Sequence, residues 1–218
     1  MENINMSTLE KFNLAFNLSD SSLDEKTYAF FDGPNFYASC KEARIDIDYS
    51  KLLALLTDSF HFKRAYYYTA MAVEDSETYS PLRPLADYLS YNGYTLVTKP
   101  MKTMTDAETG RVRNKGNMDV EIAVNMLQLV AAAEVDHIIL FSGDGDFSHL
   151  VEAVQNKGVR VTVVSFLGEN GHPMIADELR RQADHYVDLT ALRDMVSRPL
   201  REPREPREFT PREFTPRV

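Results

Sequence analysis

Residues 137–142 (HIILFS) are apolar almost without a break, and the run then stops at Gly143-Asp144-Gly145-Asp146. A strand with one face in water alternates apolar and polar side chains. Continuous apolarity over so short a stretch is the pattern of a strand buried on both faces, and such strands sit in parallel sheets covered by helices. Other β-rich runs recur at residues 28–31, 61–70 (HFKRAYYYTA), 94–98, 159–166 and 185–189. Helical patterns lie between them. Leu52, Leu53, Leu55 and Leu56 mark one helix, and residues 81–91 another that stops at Asn92-Gly93. Residues 118–133 carry Ile122, Met126, Leu129 and Ala133 on one stripe. Residues 147–156 end at a Gly158 cap, and residues 175–182 complete the set. This alternation predicts an α/β domain with a central, mostly parallel sheet over residues 27–196.

The flanking segments differ in kind. Residues 1–26 are rich in Asn, Ser and Asp around a short apolar stretch at Leu9, Phe12 and Phe16, and read as a flexible arm or partner helix. Residues 197–218 contain tandem REP and REFTP units. Proline at that density removes amide donors and blocks helix and ladder alike, which predicts a disordered, extended tail.

Composition excludes several classes. A single cysteine, Cys40, can build neither a disulfide framework nor a zinc cluster. The five histidines, His61, His137, His149, His172 and His185, show no HExxH or comparable ligand spacing. No apolar run approaches the roughly 18 residues of a spanning helix. The opening Met1-Glu2-Asn3 lacks a basic leader. The expectation is a soluble cytoplasmic protein with no membrane partner. A net charge of −9 argues against a broad phosphate-coating surface, though a local basic track remains compatible with it.

Acidic residues gather where the predicted strands end. Asp32 follows the first strand, Asp144 and Asp146 follow residue 142, and Asp119 opens the long helix that feeds that strand. In an open parallel sheet, ligands bind outside the carboxyl ends of the strands. If the strands ending at Asp32 and Ser142 are neighbours, all four carboxylates share one rim. Each alone has a plainer explanation in turn chemistry, capping or the helix dipole. Together they repel: two carboxylates 4 Å apart do so by about 4 kcal/mol at an effective dielectric of 20. A hard divalent cation, Mg²⁺ or Mn²⁺, relieves that. Gly143 and Gly145 would permit positive φ beside Asp144. Asn35 would hold a water or phosphate oxygen, or cap a helix, and Ser142 would lend its hydroxyl or simply end the strand.

The basic feature is the segment 99–115, with Lys99, Lys102, Arg111, Arg113 and Lys115 around a turn at residues 106–110. It reads as a hairpin or flexible loop beside the acidic rim, suited to a polyanion. Of Tyr66, Tyr67 and Tyr68, at least one faces the core.

Three blocks now carry a resemblance: Phe31-Asp32-Gly33-Pro34-Asn35, then Lys115-Gly116-Asn117-Met118-Asp119-Val120, then Ser142-Gly143-Asp144-Gly145-Asp146-Phe147. In this order they resemble the signature blocks of the NYN domain family, in its LabA-like branch within the PIN-like nuclease superfamily. The likeness runs over residues 28–189. It implies a PIN-like three-layer sandwich and a metal-dependent ribonuclease that cleaves RNA with a metal-activated water. On that reading Asp32, Asp119, Asp144 and Asp146 are catalytic and metal-binding. Asn35 and Ser142 assist there. From the residues themselves, Arg111, Arg113 and Lys115 would orient the substrate backbone, a single-stranded RNA is the expected partner because it bends into a concave rim, and a homo-oligomer is compatible with the chain. Where the family often has a further Asp, six residues after Asp119, this chain has Asn125. Six residues turn about 240° around a helix, so Asn125 does not share the face of Asp119.

Rival readings fit less well. A dinucleotide-binding fold would want a third glycine where Ser148 stands, and paired carboxylates would repel a pyrophosphate. An aspartyl phosphatase sets its acidic pair on the first strand, whereas Asp144-Gly145-Asp146 comes late. A non-catalytic NYN domain that regulates by binding RNA or protein is the open alternative.

Overall fold

The computed structural model describes residues 6–18, 24–71, 82–105, 112–168 and 172–198, with residues 102–105 and 112–115 as backbone only. Six strands form one sheet: β1 (Lys26–Asp32), β2 (His61–Met71), β3 (Tyr94–Pro100), β6 (His137–Phe141), β7 (Arg160–Ser165) and β8 (His185–Asp188). Their order is β3-β2-β1-β6-β7-β8, and every pairing is parallel. The strands expected to be neighbours are neighbours, with Phe31 opposite Phe141. Strand order reverses between β1 and β6, which opens a crevice at their carboxyl ends. Strands β4 (Lys102–Thr105) and β5 (Val112–Lys115) pair as a separate antiparallel hairpin.

Alternate strand residues feed two cores. Ala29, Phe31, Ala65, Tyr67, Ile139, Phe141 and Val164 face one layer; Phe30, Tyr68, Ile138, Leu140, Val161 and Val163 face the other. Period-two alternation divides the three tyrosines, sending Tyr67 one way and Tyr66 and Tyr68 the other. The first layer is α1 (Thr8–Ala15), α2 (Gly33–Glu42), α3 (Tyr49–Ser59), α4 (Arg83–Tyr91) and α8 (Leu189–Val196). The second is α5 (Asp119–Ala131), α6 (Ser148–Gln155) and α7 (Asp177–Gln182). Ile122 and Met126, on the stripe read from sequence, are the buried residues of α5. Gly158, at φ +83°, lies just beyond α6 as a cap glycine should. No helix among the described residues is long and apolar enough to cross a membrane.

Of the two readings of the first segment, arm or helix, Thr8–Ala15 takes the second, and the helix packs on the core of this domain rather than standing apart from it. Ser7 and Glu10 form a reciprocal capping box at the start of α1. Phe12 and Phe16, one helical turn apart, are completely or almost completely buried, with ring centroids 4.7 Å apart. Phe16 also meets Phe60 edge-on. Phe12→Ala is therefore expected to cost about 3–5 kcal/mol, read as a lowered urea midpoint. A change within 0.5 kcal/mol would mean that α1 is not part of the core. At the other end, Ser197 bridges Ile47, and the Arg198 amide donates to the Asp46 carbonyl. The REP and REFTP repeats lie outside the described residues.

Candidate metal centre

The site grows from the rim above β1 and β6. Asp32 is the last residue of β1 and the N-cap position of α2, yet its side chain makes no capping hydrogen bond. It is buried, and Ser142 Oγ donates to its Oδ2 at 2.9 Å. Asp144 follows two residues after Ser142, and its amide donates back to Ser142 Oγ at 3.2 Å. Asp119 is the first residue of α5, where the helix dipole favours a negative charge. Asn117 holds it from both sides: Asn117 Nδ2 donates to Asp119 Oδ2 at 2.6 Å, and the Asp119 amide donates to Asn117 Oδ1 at 2.9 Å.

Asp32, Asp119 and Asp144 each offer a carboxylate oxygen, and these oxygens lie within 4.8 Å of one another. The three line a cavity of about 330 Å³ with Pro34, Asn35, Gly116, Asn117 and Met118. Burial pushes the Asp32 carboxyl up to about 6, against the lowering effect of Ser142, while Asp119 and Asp144 raise it further. Burial also raises Asp119, Asn117 opposes it, and Asp144 and Asp146 push it higher. Burial first and the neighbouring carboxylates second thus disfavour the ionised forms of Asp32 and Asp119. An all-oxygen donor set of this kind fits a hard divalent cation.

The other expected site residues separate. Asp146 is exposed and lies outside the cluster of three; its amide donates to Asp144 Oδ1 at 3.0 Å. A 3₁₀ turn over Gly145–Phe147, with Asp144 as its cap, precedes α6, so Asp146 is not the N-cap of α6. Asn35 does not cap either. Its Oδ1 accepts the Gly143 amide at 2.9 Å, which ties α2 to the loop after β6. Gly143 and Gly145 are not among the positive-φ glycines. They are needed for space, since a Cβ on Gly143 would overlap the Met174 carbonyl and one on Gly145 the Glu178 carboxylate.

Asn125 Nδ2 donates to the Tyr68 hydroxyl at 2.8 Å, in keeping with its place off the face of Asp119. Lys99, counted with the basic segment, is paired with Glu121 at 2.9 Å. Arg113 and Lys115 stand on β5, whose end leads through Gly116 into Asp119, and Arg111 lies outside the described residues. Asn117 was missed from the sequence, though an Asn two residues before a helical Asp is a usable capping signal.

Against known proteins, the NYN domain model matches residues 26–190. The chain is 35% identical over 173 residues to the "Low amplitude and bright protein LabA" of Synechococcus elongatus, covering 78% of this chain and 86% of that protein. A crystal structure of a protein of unknown function from Vibrio parahaemolyticus superposes with a TM-score of 0.60 at 28% identity, over 79% of this chain and 96% of that one.

Proposed function

The chain belongs to the NYN domain family of the PIN-like nuclease superfamily, and we propose that it is a divalent-metal-dependent ribonuclease acting on single-stranded RNA at Asp32, Asp119 and Asp144. The observation that carries this reading is the meeting of those three carboxylates within 4.8 Å at the crevice between β1 and β6.

A bound Mg²⁺ or Mn²⁺ would supply a water of lowered pKa and charge stabilisation for the leaving oxygen of a phosphodiester. The chain's own part is to hold the donors. Ser142 orients Asp32, Asn117 orients Asp119, and the Asp146 amide orients Asp144. One oxygen of each carboxylate is thereby fixed before any ion arrives, so little reorganisation accompanies binding. Asp146, exposed beside the cluster, stays in this proposal as a carboxylate that adds to the local negative potential. A single-stranded backbone bends into a concave rim more readily than a stiff duplex, which favours it as substrate.

The test is purified protein with labelled single-stranded RNA in Mn²⁺ or EDTA, and Asp144→Asn as control. Cleavage in Mn²⁺ alone, lost in Asp144→Asn, is expected. Cleavage that survives both EDTA and the substitution would come from a contaminant. Stable RNA binding without cleavage would instead favour a regulatory domain.

A further inference from the structure

The acidic centre is one end of a longer furrow along α2. Its cavity shares Pro34 and Gly116 with a larger one of about 600 Å³, which runs over the ends of β2 and β3. That volume falls in the range that encloses small organic rings. The larger cavity is mainly apolar, walled by Tyr37, Ala70, Leu85, Ala86, Leu96 and Met101. It shares Tyr37 and Leu85 in turn with a third cavity of about 450 Å³, which Lys41, Arg44 and Arg198 line.

One helix face links the three. Pro34, Tyr37, Lys41 and Arg44 follow at intervals of three and four residues, and all are exposed, while Phe36, Ser39, Cys40 and Ala43 face the core. From residue 34 to residue 44 the helical rise is about 15 Å. Tyr37 leaves 62% of its surface open between the apolar and basic cavities. Arg44 sits just past the end of α2 at φ 55°, a left-handed position where glycine is usual. Among the described residues, neither Lys41 nor Arg44 is in an ion pair, whereas the neighbouring Asp46 is paired with Arg198 at 3.9 Å. Glu42 is turned about 100° from Lys41 around the helix.

We propose that this furrow is the substrate track: single-stranded RNA leaves the acidic centre along α2, stacks a base on Tyr37 over the apolar cavity, and places the following backbone phosphates on Lys41 and Arg44. The alternation of aromatic face and cation is what a single strand requires. An apolar peptide would leave the two cations without partners, whereas phosphates satisfy both. The track rests on the ribonuclease reading and names how that site takes its substrate. It transfers to α2 the backbone-holding role that the sequence suggested for the hairpin.

The experiment is fluorescence anisotropy of a labelled RNA decamer with Mn²⁺, in an Asp144→Asn background that prevents cleavage. Tyr37→Ala is expected to weaken binding about tenfold, and Tyr37→Phe to keep it, because the ring rather than the hydroxyl stacks. Lys41→Ala/Arg44→Ala is expected to lower the log–log salt slope by about 1.4 between roughly 50 and 200 mM salt. Lys157→Ala, far from the furrow, should change neither quantity. All these positions are exposed, and thermal melting checks that each variant folds. Binding that ignores Tyr37 and the α2 cations, or that loses its salt slope in Arg113→Ala/Lys115→Ala instead, overturns the track alone. A wild-type protein that neither binds nor cleaves RNA in Mn²⁺ overturns the ribonuclease reading as well.

Discussion

Asp32→Asn is expected to make the metal-free protein more stable at pH 8 and, in the same molecule, to remove its activity. Burial raises the Asp32 carboxyl from an ordinary 3.8 to about 6. The folded state therefore holds that proton more tightly than the unfolded chain does. This contribution favours folding below about pH 4, fades as pH rises toward 6, and stays lost above that. A shift of about two units corresponds to roughly 3 kcal/mol. Asparagine is neutral throughout and keeps an oxygen for the Ser142 hydroxyl. The variant should thus gain about 2–3 kcal/mol at pH 8 without metal, which is roughly 5–10 °C in melting temperature for a chain of this size. At pH 4 the gain should vanish.

Saturating Mn²⁺ should then reverse the order. A ligand at about 1,000 times its Kd stabilises the wild type by about 4.1 kcal/mol, more than the variant's advantage without metal, while the variant has lost one of three donors. RNA cleavage should fall more than about 100-fold, since metal assistance supplies several kcal/mol to the transition state. Calorimetric melts at pH 4 and pH 8, with Mn²⁺ or EDTA, check all of this. A variant less stable than wild type at pH 8 in EDTA would show that Asp32 is not held at a cost to the fold. Unchanged Mn²⁺ binding would remove it from the metal centre.

What the sequence disclosed follows from which residues answer to local physics. The parallel sheet was legible because residues 137–142 are apolar on both faces, and the buried strand β6 stands at its centre. Asp32, Asp119 and Asp144 were legible because each sits at a strand or helix end that the topology brings to one rim. Asp146 reads with them because it follows the same strand in the same sequence block; it stands exposed beside the three, on a 3₁₀ turn in which Gly145 lies close to Glu178. Asn35 is open in sequence between a cap and a contact to water or phosphate, and its long-range bond to the Gly143 amide is one that local sequence does not disclose. Helix α1 hid in a polar context where only the spacing of Phe12 and Phe16 betrays a buried face. Helix α8, overlooked before the proline-rich repeats, buries Leu189, Leu192, Met195 and Val196 and takes its cap from Asp188. The proposed α2 track corresponds in sequence to a periodicity of Tyr37, Lys41 and Arg44, which is sparser than the basic run at residues 99–115.

Gly143→Ala is expected to be the most damaging small substitution in the domain. The loop from Ser142 to Asp144 passes against the segment before α7, and that closeness is specified by hydrogen bonds. The Ala176 amide donates to the Gly143 carbonyl at 2.8 Å, and Ser165 Oγ donates to the Met174 carbonyl at 3.0 Å. A Cβ on Gly143 would overlap that Met174 carbonyl and come within 2.6 Å of Ser165 Oγ. The obstacle is backbone and cannot rotate away. Relief requires moving residues 174–176 outward, which breaks both hydrogen bonds and shifts Asp144 from the other carboxylates. Overpacking and two weakened bonds together amount to about 3–5 kcal/mol, a fall of roughly 6–20 °C in melting temperature. Gly158→Ala supplies the contrast. Its φ is +83° but a Cβ there meets nothing within 4 Å, so only the left-handed conformation counts, at about 1–2 kcal/mol. Urea unfolding of both variants, with Mn²⁺ titration of whatever remains folded, decides the matter. If Gly158→Ala proved the costlier, conformational freedom rather than space would govern the glycines of this domain. If Gly143→Ala kept wild-type Mn²⁺ affinity, the loop would not be what positions Asp144.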